Sequence, residues 1–326
     1  MSTSVRPTYL QTHQFAALHP GPRLIVLGAV HGNETCGAQA IAQVLDELSA
    51  GAFAIERGVL TMVPITNPLA YQQRARQGDR NLNRNLRVTA QPADFEDRIA
   101  NVLCPLLDAH DVLLDLHSFH SPAQPFIMLG PADNTGSLEP FAQAKDEERL
   151  VAHLGPRQIV EGWMGAYARG VQRRQKAQVA TATAATGLLD TGYGIGTSEY
   201  MRSRGGYGVT LECGQHDDAE AVGVAYRAIR QTLALLGLAS LALKPPSSDF
   251  QVLRLVDVVD REHEDDRFSQ PWKSFDVVGA GQTIGQRHDG RLVTAPDDGF
   301  VVFPNPNAPT GNEWFYFAQK SGRVIS

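Results

Sequence analysis

At 326 residues, with 43% hydrophobic and 20% charged side chains, the chain is long enough for one large or two ordinary domains and too apolar to be disordered. A formal charge of -6 and a pI near 5.9 supply no basic field for a phosphate backbone, which sets nucleic acid aside as a partner. Cys36, Cys104 and Cys213 are too scattered for a disulfide framework or a CxxC site, and neither a signal-peptide core nor a membrane-length apolar stretch is present, so a cytoplasmic protein without a membrane partner is expected.

In chain order, the first predicted strand is RLIVLGAV (23–30), followed by a helix over 34–50, ETCGAQAIAQVLDELSA, with apolar residues at helical spacing. A second strand, GVLTMVPIT (58–66), leads into the arginine-rich run RARQGDRNLNRNL (74–86). A helix over 92–110 precedes the strands DVLLDLHS (111–118) and PFIMLG (125–130). Segment 181–206 is rich in Gly and Thr and lacks a period, which predicts a long loop near the site. The strand YGVTLECG (207–214) and a helix over 217–239 complete this part. These strands are almost continuously apolar, so the sheet should be covered by helices on both faces. LKPPSSD (243–249) has the composition of a linker, and beyond it the helical period gives way to short β runs separated by HDG, PDDG and PNPNAPTGN. The expectation is an α/β catalytic domain over 1–242 and a smaller all-β domain over 249–326.

His31 ends the first apolar strand and Glu34 follows three residues later. A hydrolytic zinc ion needs three protein ligands, commonly two His and one carboxylate, and open α/β sheets bind ligands at the carboxyl ends of their strands. HxxE alone is a weak signal; its position strengthens it. His117, closing the strand LLDLH, is the expected third ligand, with Asp115 two residues earlier on the same side of the strand as its support. His120 lies in the following SFHSP turn and is the competing choice. Such a site also needs a base to take a proton from water and hand it on. Glu212 ends another apolar strand, where an idle charge would be costly. Arg74, Arg76, Arg80, Arg84 and Arg87, in an acidic protein and almost without Lys, suit a carboxylate-bearing substrate, because planar guanidinium groups grip carboxylates in a bidentate fork.

HGNE, RQGDRNLNR, DLH and LECG, in this order, resemble the succinylglutamate desuccinylase and aspartoacylase family, and the resemblance extends over nearly the whole chain to APDDGFVVFPNP. It implies a mixed sheet flanked by helices, like that of zinc carboxypeptidases, with the C-terminal β domain covering the site. It also implies one zinc ion held by His31, Glu34 and His117, Glu212 as general base and acid, and Arg76 polarising the scissile carbonyl. Asn83 and Arg84 would hold the carboxylate of the amino-acid part, and Arg202, or its neighbour Arg204, a substrate carboxylate. The implied reaction is hydrolysis of a small, carboxylate-bearing N-acyl substrate. Asn81 departs from the family, which often has Asp before LNR, leaving Asp79 as the acid of that loop. Tyr316, the one Tyr after 227, lies in WFYF, which reads as a strand, so the substrate tyrosine of aspartoacylases has no assigned position.

Two alternatives remain open at this point. A zinc carboxypeptidase would use the same ligands in an open cleft, and a metal-dependent binding protein would keep the pocket without the chemistry. GYGIG lacks the strand-turn-helix context of a dinucleotide loop, GxSxG is absent, and Cys213, Trp163 and Trp272 read as core residues. Association of copies is left open.

Overall fold

The computed structural model describes residues 5–178 and 189–325. A short strand, β1 (His13–Ala16), precedes β2 (Arg23–Gly28), α1 (Cys36–Ser49), β3 (Val59–Val63), α2 (Pro68–Gln73) and α3 (Phe95–Asp108). Then come β4 (Val112–Phe119), β5 (Phe126–Met128), α4 (Ala144–Leu154), β6 (Gln158–Glu161) and α5 (Trp163–Gln178). The expected loop 181–206 is only partly a loop: 181–188 lies outside the described residues, and Thr197–Ser203 forms the helix α6, with Glu199 in its first turn accepting from the Gly196 N–H. It leads to β7 (Tyr207–Gln215) and α7 (Ala219–Leu235).

Alternation along β2 explains why it is central. Leu24 and Val26 enter one apolar cluster, with Ile41 and Val44 of α1 and Ile229 and Leu233 of α7. Ile25 and Leu27 enter a second, with Phe95, Ile99, Leu103 and Leu107 of α3 and Met201 of α6. Both faces are therefore covered, as the continuous apolar runs require. Leu113 of β4 belongs to the second face, and since side chains alternate along a strand, Asp115 and His117 share it. The site thus replaces apolar packing where β4 leaves the α3 layer.

Beyond α7 every regular element among the described residues is a strand: β8 (Gln251–Asp260), β9 (Arg267–Phe268), β10 (Asp276–Val278), β11 (Thr283–Gln286), β12 (Leu292–Thr294), β13 (Gly299–Val302) and β14 (Glu313–Lys320). They do not stand off as a separate sheet. One 11-stranded sheet runs β1-β3-β2-β4-β7-β5-β6-β8-β14-β13-β10, parallel across β3-β2-β4-β7 and β5-β6-β8 and antiparallel elsewhere. Backbone pairing of β6 with β8 joins the two parts. The three-stranded sheet β12-β11-β9 packs on β13 and β14 through Ile284, Trp314, Phe315 and Phe317. Gly285 permits this approach, since a Cβ there would lie 2.5 Å from the Trp314 ring. No helix among the described residues is long and apolar enough to cross a membrane.

Candidate active site

His31 leaves the sheet just after β2, on a turn that its carbonyl closes by accepting the Glu34 N–H at 3.1 Å. Gly32 is required here because a Cβ would fall 2.0 Å from the Ala70 backbone of α2. Glu34 therefore arrives at the start of α1 facing back toward β4. One donor atom each from His31, Glu34 and His117 lies within 4.8 Å of the others, and all three residues are buried. His31 Nδ1 is 2.8 Å from Glu34 Oε1, and His117 Nδ1 is 2.8 Å from Glu34 Oε2. Glu34 also accepts from Arg76 at 3.0 Å and from the Ser118 N–H at 3.2 Å. The sheet brings these three together, whereas His120 is exposed and sits beside His216, outside the group.

The outward nitrogens fix the chemistry of the inward ones. His31 Nε2 is 3.0 Å from Asn81 Oδ1, and that oxygen also accepts the Asn83 N–H at 2.9 Å, so it cannot be the amide nitrogen. His31 Nε2 must then carry the ring proton. Burial, with the Arg76 charge, pushes the His31 pKa down to about 4, so the ring is neutral at pH 7 and its Nδ1 turns a lone pair toward a carboxylate. A lone pair and a carboxylate oxygen facing each other at 2.8 Å are a place where a cation would be held. His117 Nε2 lies 2.9 Å from Asp115 Oδ2, as the alternation along β4 anticipated. Burial works against its charged form, but Asp115 and Glu34 outweigh burial and hold the pKa well above the ordinary histidine value. Burial also opposes the Glu34 carboxylate, yet the two histidines hold its pKa well below the ordinary range. Two imidazoles and a carboxylate are a zinc donor set once a metal ion takes the place of the His117 proton, and the residues fit such an ion.

Glu212 stands opposite His117 in the β4–β7 register. Its Oε2 is buried and has no hydrogen-bond partner among the described residues. Burial pushes its pKa up to about 7; the charge of His117 opposes this and that of Glu34 adds to it. A carboxyl poised near neutrality, with one oxygen unclaimed, is the form a proton-transfer group takes.

The arginine run divides into distinct tasks. Arg76 is half exposed and reaches Glu34. Arg80 is spent on Asp94 and Asp97, each at 2.7 Å, and Arg74 and Arg87 face solvent. Glu96, in the first turn of α3, accepts the N–H groups of Gly78, Asp79 and Arg80 and the Asn67 amide, so one buried carboxylate sets the path of the loop. Asp79 pairs with Arg6 and accepts the Phe95 N–H. Asn83 Oδ1 accepts the Thr197 N–H at 2.9 Å. The Arg84 guanidinium lies 4.6 Å above the Trp163 ring and 3.6 Å from Glu313.

Arg202 is not brought into this group. Its guanidinium is buried among Glu139, Glu199 and Glu147 at 2.8, 3.0 and 3.4 Å, and it donates to the Gly208 carbonyl. Gly208 precedes Glu212 by four positions on β7, about 13 Å along a strand. The expectation of a substrate carboxylate at Arg202 meets a fork that three carboxylates occupy in this structure. Arg204 pairs with Asp108 at the surface. Two residues not assigned from the sequence stand near Arg84 instead. Glu313 is one; Tyr316 is the other, its buried hydroxyl without a partner and its ring 5.3 Å from Trp163. The irregularity between Glu313 and Phe315 shifts the register there, so simple alternation along WFYF could not have placed them. Trp163, read as core, underlies Arg84, while Trp272 and Cys213 are core residues as expected.

Residues 20–127 match the family model described as the succinylglutamate desuccinylase/aspartoacylase catalytic domain. No curated protein sequence gives a significant match. Among solved structures, a succinylglutamate desuccinylase/aspartoacylase from Rhodobacter sphaeroides superposes with a TM-score of 0.69 at 17% identity, covering 96% of this chain and 90% of the other. The product-bound ectoine utilization protein EutE (DoeB) from Ruegeria pomeroyi gives 0.66 at 19% identity, over 94% and 88% of the two chains. An aspartoacylase family protein from Mesorhizobium loti gives 0.63 at 20%, over 96% and 90%. The resemblance read from HGNE to LECG is thus matched on two counts: the chain has the fold of the succinylglutamate desuccinylase/aspartoacylase proteins over nearly its whole length, and residues 20–127 carry the sequence signature of their catalytic domain.

Proposed function

We propose that the protein is a zinc-dependent hydrolase that removes an acyl group from the amino nitrogen of a small, carboxylate-bearing amino acid or amine. The observation that carries this reading is the convergence of His31, Glu34 and His117 directly beside a carboxyl, Glu212, that is poised near neutrality and has an unclaimed oxygen. Zinc, held by these three residues, supplies Lewis-acid polarisation and lets water act as a nucleophile at neutral pH. Glu212 Oε2 takes the proton from the attacking water and returns it to the leaving nitrogen, which must be protonated to depart. Arg76, half exposed and already against Glu34, is the cation available to the developing oxyanion. Asn83 and Arg84 hold the substrate carboxylate. Glu313 anchors Arg84 at 3.6 Å, too long for a hydrogen bond, so N–H groups of that guanidinium stay available, and the Tyr316 hydroxyl adds a donor. Because β14 supplies Glu313 and Tyr316, the C-terminal strands close over this end and favour small substrates over long peptides.

The test is a panel of N-acetyl, N-succinyl and N-formyl amino acids, with short peptides as the contrasting arm, read by released amine at defined zinc. At least one acyl amino acid should be hydrolysed faster than any peptide. Glu212→Gln should retain the metal and lose turnover by several orders of magnitude. Near-normal turnover in that variant, or peptide cleavage alone, contradicts the proposal.

A further inference from the structure

The two histidines leave the sheet on separate segments, yet their outward edges lead to the same side chain. On one side, Asn81 Oδ1 receives both His31 Nε2 at 3.0 Å and the Asn83 N–H at 2.9 Å. On the other, Asp115 Oδ2 lies 2.9 Å from His117 Nε2, as an ion pair rather than an aligned hydrogen bond, and receives the Thr197 hydroxyl at 2.5 Å. Thr197 then donates its own N–H to Asn83 Oδ1 at 2.9 Å. The contacts run from His31 through Asn81, Asn83, Thr197 and Asp115 to His117, and Glu34 closes the ring by touching both inward nitrogens. Thr197 and Asp115 are fully buried, so water does not substitute for these links. Gly196 leaves the room this needs, because a Cβ there would sit 2.1 Å from Asn83 Oδ1.

We infer that Thr197 and Asn81 are positioning residues that tie both histidines to Asn83 in one closed circuit, so that cation affinity and the placement of the 81–84 loop are a single coupled property. The inference rests on the metal site proposed above and goes beyond it. A histidine's grip on a metal depends on the acceptor behind its other nitrogen, and loss of such an acceptor typically costs ten- to hundredfold in affinity. Here each acceptor is itself oriented by a group on, or bonded to, Asn83. Anything that displaces Asn83 must therefore change metal affinity, and metal binding must reciprocally stiffen the loop.

The experiment strips the purified full chain with a chelator and titrates it with Zn2+ in competition with a chromophoric chelator. It compares the parent with Thr197→Val, Thr197→Ser, Asn81→Ala and the double variant of Val at 197 with Ala at 81. Thr197→Val removes the hydroxyl and keeps the N–H; it should bind Zn2+ about tenfold or more weakly. Thr197→Ser should restore affinity to within about twofold of the parent, which a merely space-filling role for Thr197 would not produce. The double variant should lose less than the product of the two single losses, because either cut already opens the circuit. If Thr197→Val does not fold, Asn81→Ala cuts the same circuit from the other histidine and is read in the same way. A parent that binds Zn2+ together with a Thr197→Val variant of unchanged affinity, or independent multiplicative losses, overturns the circuit and leaves the metal site standing. A parent that takes up no Zn2+ overturns both.

Discussion

At Glu212 the balance between burial and charge has a measurable consequence. Its pKa is pushed from an ordinary value near 4.5 to about 7, with burial as the leading cause. Between those values the folded, metal-free chain holds a proton that the unfolded chain has released, so stability falls as pH rises across that window. Glu212→Gln has no such proton to hold. In chelator-treated protein its stability relative to the parent should therefore be lowest below about 4.5 and improve steadily up to about 7, by a few kcal/mol in all. Urea denaturation at a series of pH values checks this, and parallel profiles for the two proteins contradict it. His31, Glu34, His117 and Glu212 were legible in the sequence because each ends or follows an apolar run, where an idle polar group would be costly. The surroundings of Arg202 were not legible, because its partners Glu139 and Glu147 lie more than 50 residues away in the chain and no local pattern announces them.

The loop that carries Arg76, Asn83 and Arg84 depends on one element, the first turn of α3. Glu96 there accepts three backbone N–H groups from Gly78 to Arg80, which no other group among the described residues is in place to satisfy. Glu96→Gln sets an amide N–H against these donors and should cost about 2 kcal/mol of stability. Its KM should also rise, because the substrate end of the proposed site moves, and its Zn2+ affinity should fall with it, since the 81–84 loop is tied to both histidines. A variant with unchanged urea midpoint and unchanged KM would show that the loop holds itself. The strands β2, β3, β4, β5 and β7 and the helices α1, α3 and α7 were readable from continuous apolar runs and from helical periodicity, whereas α4 and α5 were not among the predicted elements. The short β1, α2 and β6 were not, since pieces of four to six residues carry too few periods to stand out. Nor does local sequence contain the register irregularity that sets Glu313 and Tyr316.

Across the whole molecule, composition separated an α/β part from an all-β part, but it could not reveal that one sheet runs through both. Pairing of β6 with β8 makes the C-terminal strands an extension of the sheet of the α/β part, with Leu253, Leu255 and Val258 in the same cluster as Phe126 and Val160. Shared backbone pairing and a shared core predict a single cooperative unfolding transition. Fluorescence and far-UV circular dichroism should give coincident urea midpoints; two separated transitions would show that the parts are energetically independent. Removal of 249–326 should likewise leave β6 with an unpaired edge and yield an aggregating product. The functional reading depends above all on one ion held by three residues remote in the chain. Elemental analysis of the purified, zinc-loaded protein tests it most directly. One zinc per chain is expected in the parent and in Glu212→Gln, with near-complete loss in His31→Ala and in His117→Ala; a parent without metal, or a His117→Ala variant that keeps the full complement, contradicts it.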